Sequence, residues 1–157
     1  MPESIASSLI GALWLSTCLA TSAPAQDFGD QASSTLTTRA WQALERDDVA
    51  ETLAYTAKCR ELYADEAARQ QAALAEFLPV ERGHDAWALN DVGTCCYIEG
   101  QIHEKADRKA EAVASYRRLV QEFGFAQCWD KRGWFWHPAE AAQDRLDALE
   151  FDTALAE

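Results

Sequence analysis

The stretch Gly100-Gln101-Ile102-His103-Glu104-Lys105-Ala106-Asp107-Arg108-Lys109-Ala110-Glu111-Ala112-Val113-Ala114-Ser115-Tyr116 joins two helical patterns through a short polar turn. Upstream, from Asp85 to Lys105, Leu89, Val92, Cys96, Gly100 and His103 recur along one helical face. Downstream, Ala112, Tyr116, Leu119, Val120 and Phe123 form an apolar stripe that Gly124 closes, as glycine does just past a helix end. Gly93 and Gly100 stand two turns apart on the first face. A glycine inside a helix costs about 1 kcal/mol relative to alanine, so two at this spacing point to close approach of a neighbouring helix. The alternative is that Gly100 simply ends the helix.

The same kind of pattern extends to both sides. Leu36, Ala40, Trp41 and Leu44 fall at helical spacing before Asp47-Asp48 interrupts them. Asp48-Val49-Ala50-Glu51 has the form of a capping box, in which the Asp side chain accepts from first-turn N–H groups and Glu51 reaches back. A second helix therefore begins there, with Leu53 and Ala57 on one face and Tyr55, Cys59 and Leu62 on an adjoining one. A separate third helix is expected over Asp65 to Leu78, followed by a loop at Pro79 and Gly83. Towards the C-terminus, Cys128 to His137 reads as a loop carrying four large aromatics. Pro138 then suits the first position of a final helix bearing Ala142, Leu146 and Leu149. With 48% hydrophobic residues, only seven glycines and four prolines, the 157-residue chain can bury a core and favours helices over a turn-rich β fold. The expected class is all-α: antiparallel helical hairpins, five or six helices in a short array.

The opening stretch resembles the second half of helix A and the helix B of a tetratricopeptide repeat, with Gly100, Ala112 and Tyr116 at the matching positions. Cys96 stands where that repeat has Trp, His103 where it has Tyr, and Gly124 where proline is common. Trp41-Gln42-Ala43-Leu44-Glu45-Arg46-Asp47-Asp48 and the following helix look like a second, degenerate copy, although Asp48 and Asp107 lie 59 residues apart rather than one 34-residue period. The resemblance covers about half of the chain beyond residue 25. It implies a helix-turn-helix scaffold with a concave face that binds another protein or peptide. The block Ala126-Gln127-Cys128-Trp129-Asp130-Lys131-Arg132-Gly133-Trp134-Phe135-Trp136 also resembles the end of small exported bacterial proteins labelled as β-glucanase precursors.

Residues 1–25 read as a secretory signal peptide: an apolar run from Ile5 to Ala20, then Ala23-Pro24-Ala25 and polar Gln26-Asp27. Met1 to Ser4 departs from the pattern by lacking Lys and Arg. Too short and serine-diluted to span a bilayer, the run leaves lipid attachment at Cys18 as the competing reading, since Leu15-Ser16-Thr17-Cys18 resembles a lipobox apart from Thr17. The expected organisation is thus a signal peptide (1–25), a disordered segment (26–34), a helical domain (35–151) and a frayed tail (152–157), in a periplasmic or secreted protein. The formal net charge of −12 argues against a nucleic-acid surface, which needs clustered Lys and Arg.

No catalytic residues, metal ligands or cofactor are expected. A glucanase needs two carboxylates at a defined separation, and acidic pairs such as Asp47-Asp48 and Asp65-Glu66 read as solvated helix ends. His103 and Asp107 have the i, i+4 spacing of a helical metal pair. Two ligands leave a zinc site incomplete, so a surface ion pair is the reading. An exported chain with Cys59, Cys95, Cys96 and Cys128 is expected to form disulfides, Cys59 and Cys128 each pairing with one of the adjacent two; buried thiols are the alternative. Trp129, Trp134, Phe135 and Trp136 are the candidate binding surface, because rigid aromatics give contact area at small entropic cost. A cap over the open end of the helical stack competes with that reading. The alternative ligand for such a surface is cell-envelope carbohydrate.

Overall fold

The computed structural model describes residues 26–155; the expected signal peptide with Cys18, and residues 156–157 of the expected tail, lie outside the described residues. The fold is all-α with one small hairpin. Its elements are α1 (Ser33–Glu45), α2 (Val49–Ala72), a 3₁₀ segment (Val80–Ala86), α3 (Trp87–Lys105), α4 (Lys109–Glu122), strands β1 (Cys128–Asp130) and β2 (Trp134–Trp136), and α5 (Pro138–Leu155).

Two turns of one design fold the chain back on itself. Asp47 and Asp107 both sit in the left-handed region at φ 56°, a conformation that Asp tolerates because its short side chain bonds locally. In each turn the next amide reaches back over five residues, Asp48 N–H to the Ala43 carbonyl at 3.0 Å and Arg108 N–H to the His103 carbonyl at 2.8 Å. These bonds satisfy helix-end carbonyls and reverse the chain sharply. Asp48 then caps α2 by accepting from the Glu51 amide at 2.9 Å.

The resulting hairpins pack in succession: α1 on α2 and α3, α2 on α3, α3 on α4 and α5, and α4 on α5. Central α3 therefore has neighbours on nearly every side. That explains why Leu89, Val92, Cys95, Cys96, Ile98 and Ile102 are all fully buried, although no single apolar stripe joins them. A Cβ placed on Gly100 would lie 2.3 Å from the Tyr116 ring, and one on Gly93 would lie 2.5 Å from the Ala126 Cβ. Both glycines are inside α3, so Gly100 does not end a helix. Tyr116 Oη donates to Glu104 Oε1 at 2.6 Å, and Arg145 Nε donates to the same oxygen at 3.0 Å, so one carboxylate ties α3 to α4 and α5. Between α2 and α3 the part-buried Arg60 pairs with Glu99.

Several expectations are corrected. The separate helix over Asp65–Leu78 does not exist; Val49–Ala72 is one 24-residue helix, because that stretch holds neither Gly nor Pro and nothing breaks it. Residues 26–34 are ordered rather than disordered. Phe28 packs edge-on against Tyr55 at 5.9 Å, Tyr63 Oη donates to the Gln31 carbonyl at 2.9 Å, and α1 already starts at Ser33. At the other end, α5 runs to Leu155. The aromatic loop is a hairpin, with Cys128 opposite Trp136, Trp129 opposite Phe135 and Asp130 opposite Trp134. His103 makes no surface pair with Asp107: it is buried, and burial pulls its imidazole pKa down.

No disulfide joins the four described cysteines in the structure, where two bridges were expected. The 100° step between neighbours on a helix aims Cys95 and Cys96 at different surroundings. Cys95 meets Cys59 and the Thr37 hydroxyl, the latter at 3.5 Å. Burial pushes the Cys96 thiol up to about 12. Cys128 lies instead against Thr94 and Trp136.

Candidate functional site

A groove of about 500 Å³ opens between the start of α1, the outer face of α3 and the hairpin. Three tryptophans from three different elements stand in its walls: Trp41 from α1, Trp87 from α3 and Trp129 from β1. Trp87 and Trp129 are 46% and 45% exposed, far more than rings belonging to a core. The polar lining includes Thr37 and Thr38 on α1, His84 on the 3₁₀ segment, and Asn90, Asp91 and Thr94 on α3.

The walls are held by a small amide network. Asn90 Nδ2 donates to the Gly83 carbonyl at 2.7 Å, and Asn90 Oδ1 accepts from the Gln127 amide at 2.8 Å. Gln127 in turn uses both ends of its side chain on Leu78, accepting from its N–H at 3.0 Å and donating to its carbonyl at 3.1 Å. Buried side-chain amides satisfied on every side are rigid connectors. These two fasten the 3₁₀ segment and the entry to the hairpin onto α3. Phe135 lies over Gly83, where an added Cβ would come within 2.5 Å of its ring. The hairpin turn is set locally: Asp130 Oδ1 accepts from the Arg132 amide at 2.8 Å, and Gly133 takes φ 103° at the end of a three-residue loop.

Asp91 differs from the buried hydroxyls beside it. Thr37 and Thr94 donate their hydroxyls to their own helices, to the Ser33 and Asn90 carbonyls at 2.9 and 2.7 Å. Asp91 accepts a single hydrogen bond, from the Ser33 hydroxyl at 2.5 Å, and has no ion pair with any Lys or Arg among the described residues. Arg39, the cation next along α1, is engaged with the Asp27 carbonyl at 2.7 Å. Burial pushes the Asp91 carboxyl above its usual range, the Ser33 bond opposing in part. Cys128, also in the lining, is raised by burial. It is therefore a protonated thiol at neutral pH, not an activated nucleophile.

The four aromatics singled out from sequence do not share one surface. Trp129 lines the groove and contacts Phe135 at 5.0 Å and His84 at 5.9 Å. Phe135 is part-buried over Gly83, and Trp136 packs edge-on against Tyr97 at 5.2 Å. Trp134 is exposed, with the Arg132 guanidinium 4.3 Å from its ring centre. Gly93, Gly100, Ala112 and Tyr116 lie where α3 packs against α4 and the Phe123–Ala126 segment, away from the groove. Trp41, Trp87, Asn90 and Asp91 were missed. A signal existed: Trp87, Asn90, Asp91 and Thr94 recur at helical spacing on α3, a polar and aromatic stripe beside the apolar one.

No group of three or more His, Cys, Asp or Glu able to hold a metal ion occurs among the described residues, and no described helix is long and apolar enough to cross a membrane. Comparison with known proteins finds no matching family model, no matching curated protein and no matching solved structure.

Proposed function

We propose that this chain is a non-catalytic, exported, tetratricopeptide-like scaffold that holds a segment of another polypeptide in the groove between α1, α3 and the hairpin. The carrying observation is the convergence of half-exposed Trp87 and Trp129 with Trp41 on one concave surface, since such rings are costly to leave in water without a partner. The order of packing, each hairpin seated on its neighbours, supports the repeat-like reading. The raised Cys128 thiol supports a binding role over thiol chemistry.

Cell-envelope carbohydrate is the second reading, favoured by the ring faces of Trp87 and Trp129. Against it, Asn90 and Gln127, the amides best suited to sugar hydroxyls, are already committed to backbone groups. Export rests on the apolar leader of residues 1–25. An oxidising compartment would act on Cys59 and Cys95, the thiols in contact, which exchange with a disulfide oxidant to give one bridge and the oxidant's dithiol.

Selection of twelve-residue displayed peptides, with counter-selection on a groove-filled Thr38→Trp variant, tests the polypeptide reading; Thr38 is exposed in the groove lining. Peptides that bind the wild type at least tenfold better than Thr38→Trp are expected. Retention on insoluble glucan or peptidoglycan, with no peptide enriched, would replace this reading by the carbohydrate one.

A further inference from the structure

We propose that Asp91, half-buried between Trp41, Trp87 and Trp129, receives a lysine ammonium or arginine guanidinium from a basic segment of the bound polypeptide. This site rests on the groove being a polypeptide site and specifies the chemistry of its occupant.

Three observations carry it. A carboxylate removed from water is ordinarily paired, and Asp91 has one hydroxyl donor and no cation among the described residues. An ionised carboxylate can accept about four hydrogen bonds, so one from Ser33 leaves capacity directed at whatever occupies the groove. The buried hydroxyls of Thr37 and Thr94 and the Asn90 amide are bonded inside the protein, so among the buried polar groups of the lining this carboxylate is the one with most capacity to spare.

The walls suit the same guest. Tryptophan faces attract cations through the ring quadrupole, more so where water is partly excluded. This hairpin already seats one guanidinium in that way, Arg132 over Trp134. Trp129, on the groove side, is instead flanked by His84 and Phe135 and keeps almost half of its surface open. A formal charge of −12 draws a basic chain toward the protein before any contact forms. An anionic or strongly acidic segment meets the opposite field.

The test uses the full chain and capped nonapeptides of Gly, Ser and Ala with one central residue: Arg, Lys, citrulline or Gln. Binding is read from the NMR shifts of the Trp41, Trp87 and Trp129 indole N–H groups, which follow millimolar as well as micromolar complexes. The Arg and Lys peptides are expected to bind at least tenfold more tightly than citrulline and Gln. Asp91→Asn should erase that preference, and Trp87→Ala, a change at an exposed ring, should weaken the cationic peptides without unfolding the chain. Equal binding of Arg and citrulline peptides, unchanged in Asp91→Asn, would overturn the cation site while leaving a polypeptide groove. Indoles that respond to none of the four peptides would overturn both readings.

Discussion

At the scale of single residues, Asp91 links stability to binding. Its folded-state pKa lies above the unfolded value because burial penalises the charge. Its contribution is thus fully present below the unfolded pKa and is lost as pH rises through the raised one, so the charged form burdens the fold at neutral pH. Asparagine keeps an acceptor for Ser33 and removes the charge. Asp91→Asn should therefore melt at or above the wild type at pH 7, with the gap closing in acid; thermal melts across pH 3 to 8 measure it. A variant that melts lower at pH 7, with the deficit growing as pH rises, would contradict a desolvated carboxylate. Asp47 is different, since it was readable locally as an interruption of helical pattern, and the left-handed backbones of Asp47 and Asp107 do the interrupting. Asp91 carried no such local mark. Its isolation depends on which cations fail to reach it, and that is a property of the fold.

Between elements, the contacts of α3 set the geometry of the groove. Gly100 receives the Tyr116 ring, which cannot swing away because its hydroxyl is held by Glu104. Gly100→Ala gains about 1 kcal/mol of helix propensity but forces overlap that typically costs about 1–3 kcal/mol, so a net loss is expected. Urea denaturation reads the balance. A more stable variant would mean that Tyr116 has room to move. Toward α2, Arg60 neutralises Glu99, whose side chain is almost fully buried. Arg60→Ala strands that carboxylate and should cost about 3–5 kcal/mol, whereas the paired change Arg60→Met with Glu99→Leu should recover most of the loss. Failure of the double variant to recover would locate the cost in the packing of the arginine stem instead. The helices themselves were legible from periodicity and caps, as at Asp48 and Pro138. The hairpin was not legible in the sequence, which reads as a loop there: Trp134-Phe135-Trp136 is aromatic at every position and shows no period of two, and only Gly133 marked the turn.

For the whole molecule, export and oxidation make a joint prediction. Chain recovered from the cell envelope, denatured without reduction, should show two free thiols among its described cysteines, with Cys59→Ser leaving three. Chain made in a reducing cytosol should show four. Four thiols in both preparations would remove the bridge and weaken the case for export. Sequence alone determined the all-α class and the chain reversals near Asp48 and Asp107, and pointed to seats at Gly93 and Gly100, because helix period, capping and glycine conformation act over a few neighbouring residues. Tertiary structure alone decided which thiols touch, where the aromatics point and that Trp41, Trp87, Asp91 and Trp129 share one groove. Those residues lie up to 88 positions apart. Their meeting depends on helix packing angles and on the Asn90–Gln127 amide clamp, which no local pattern encodes.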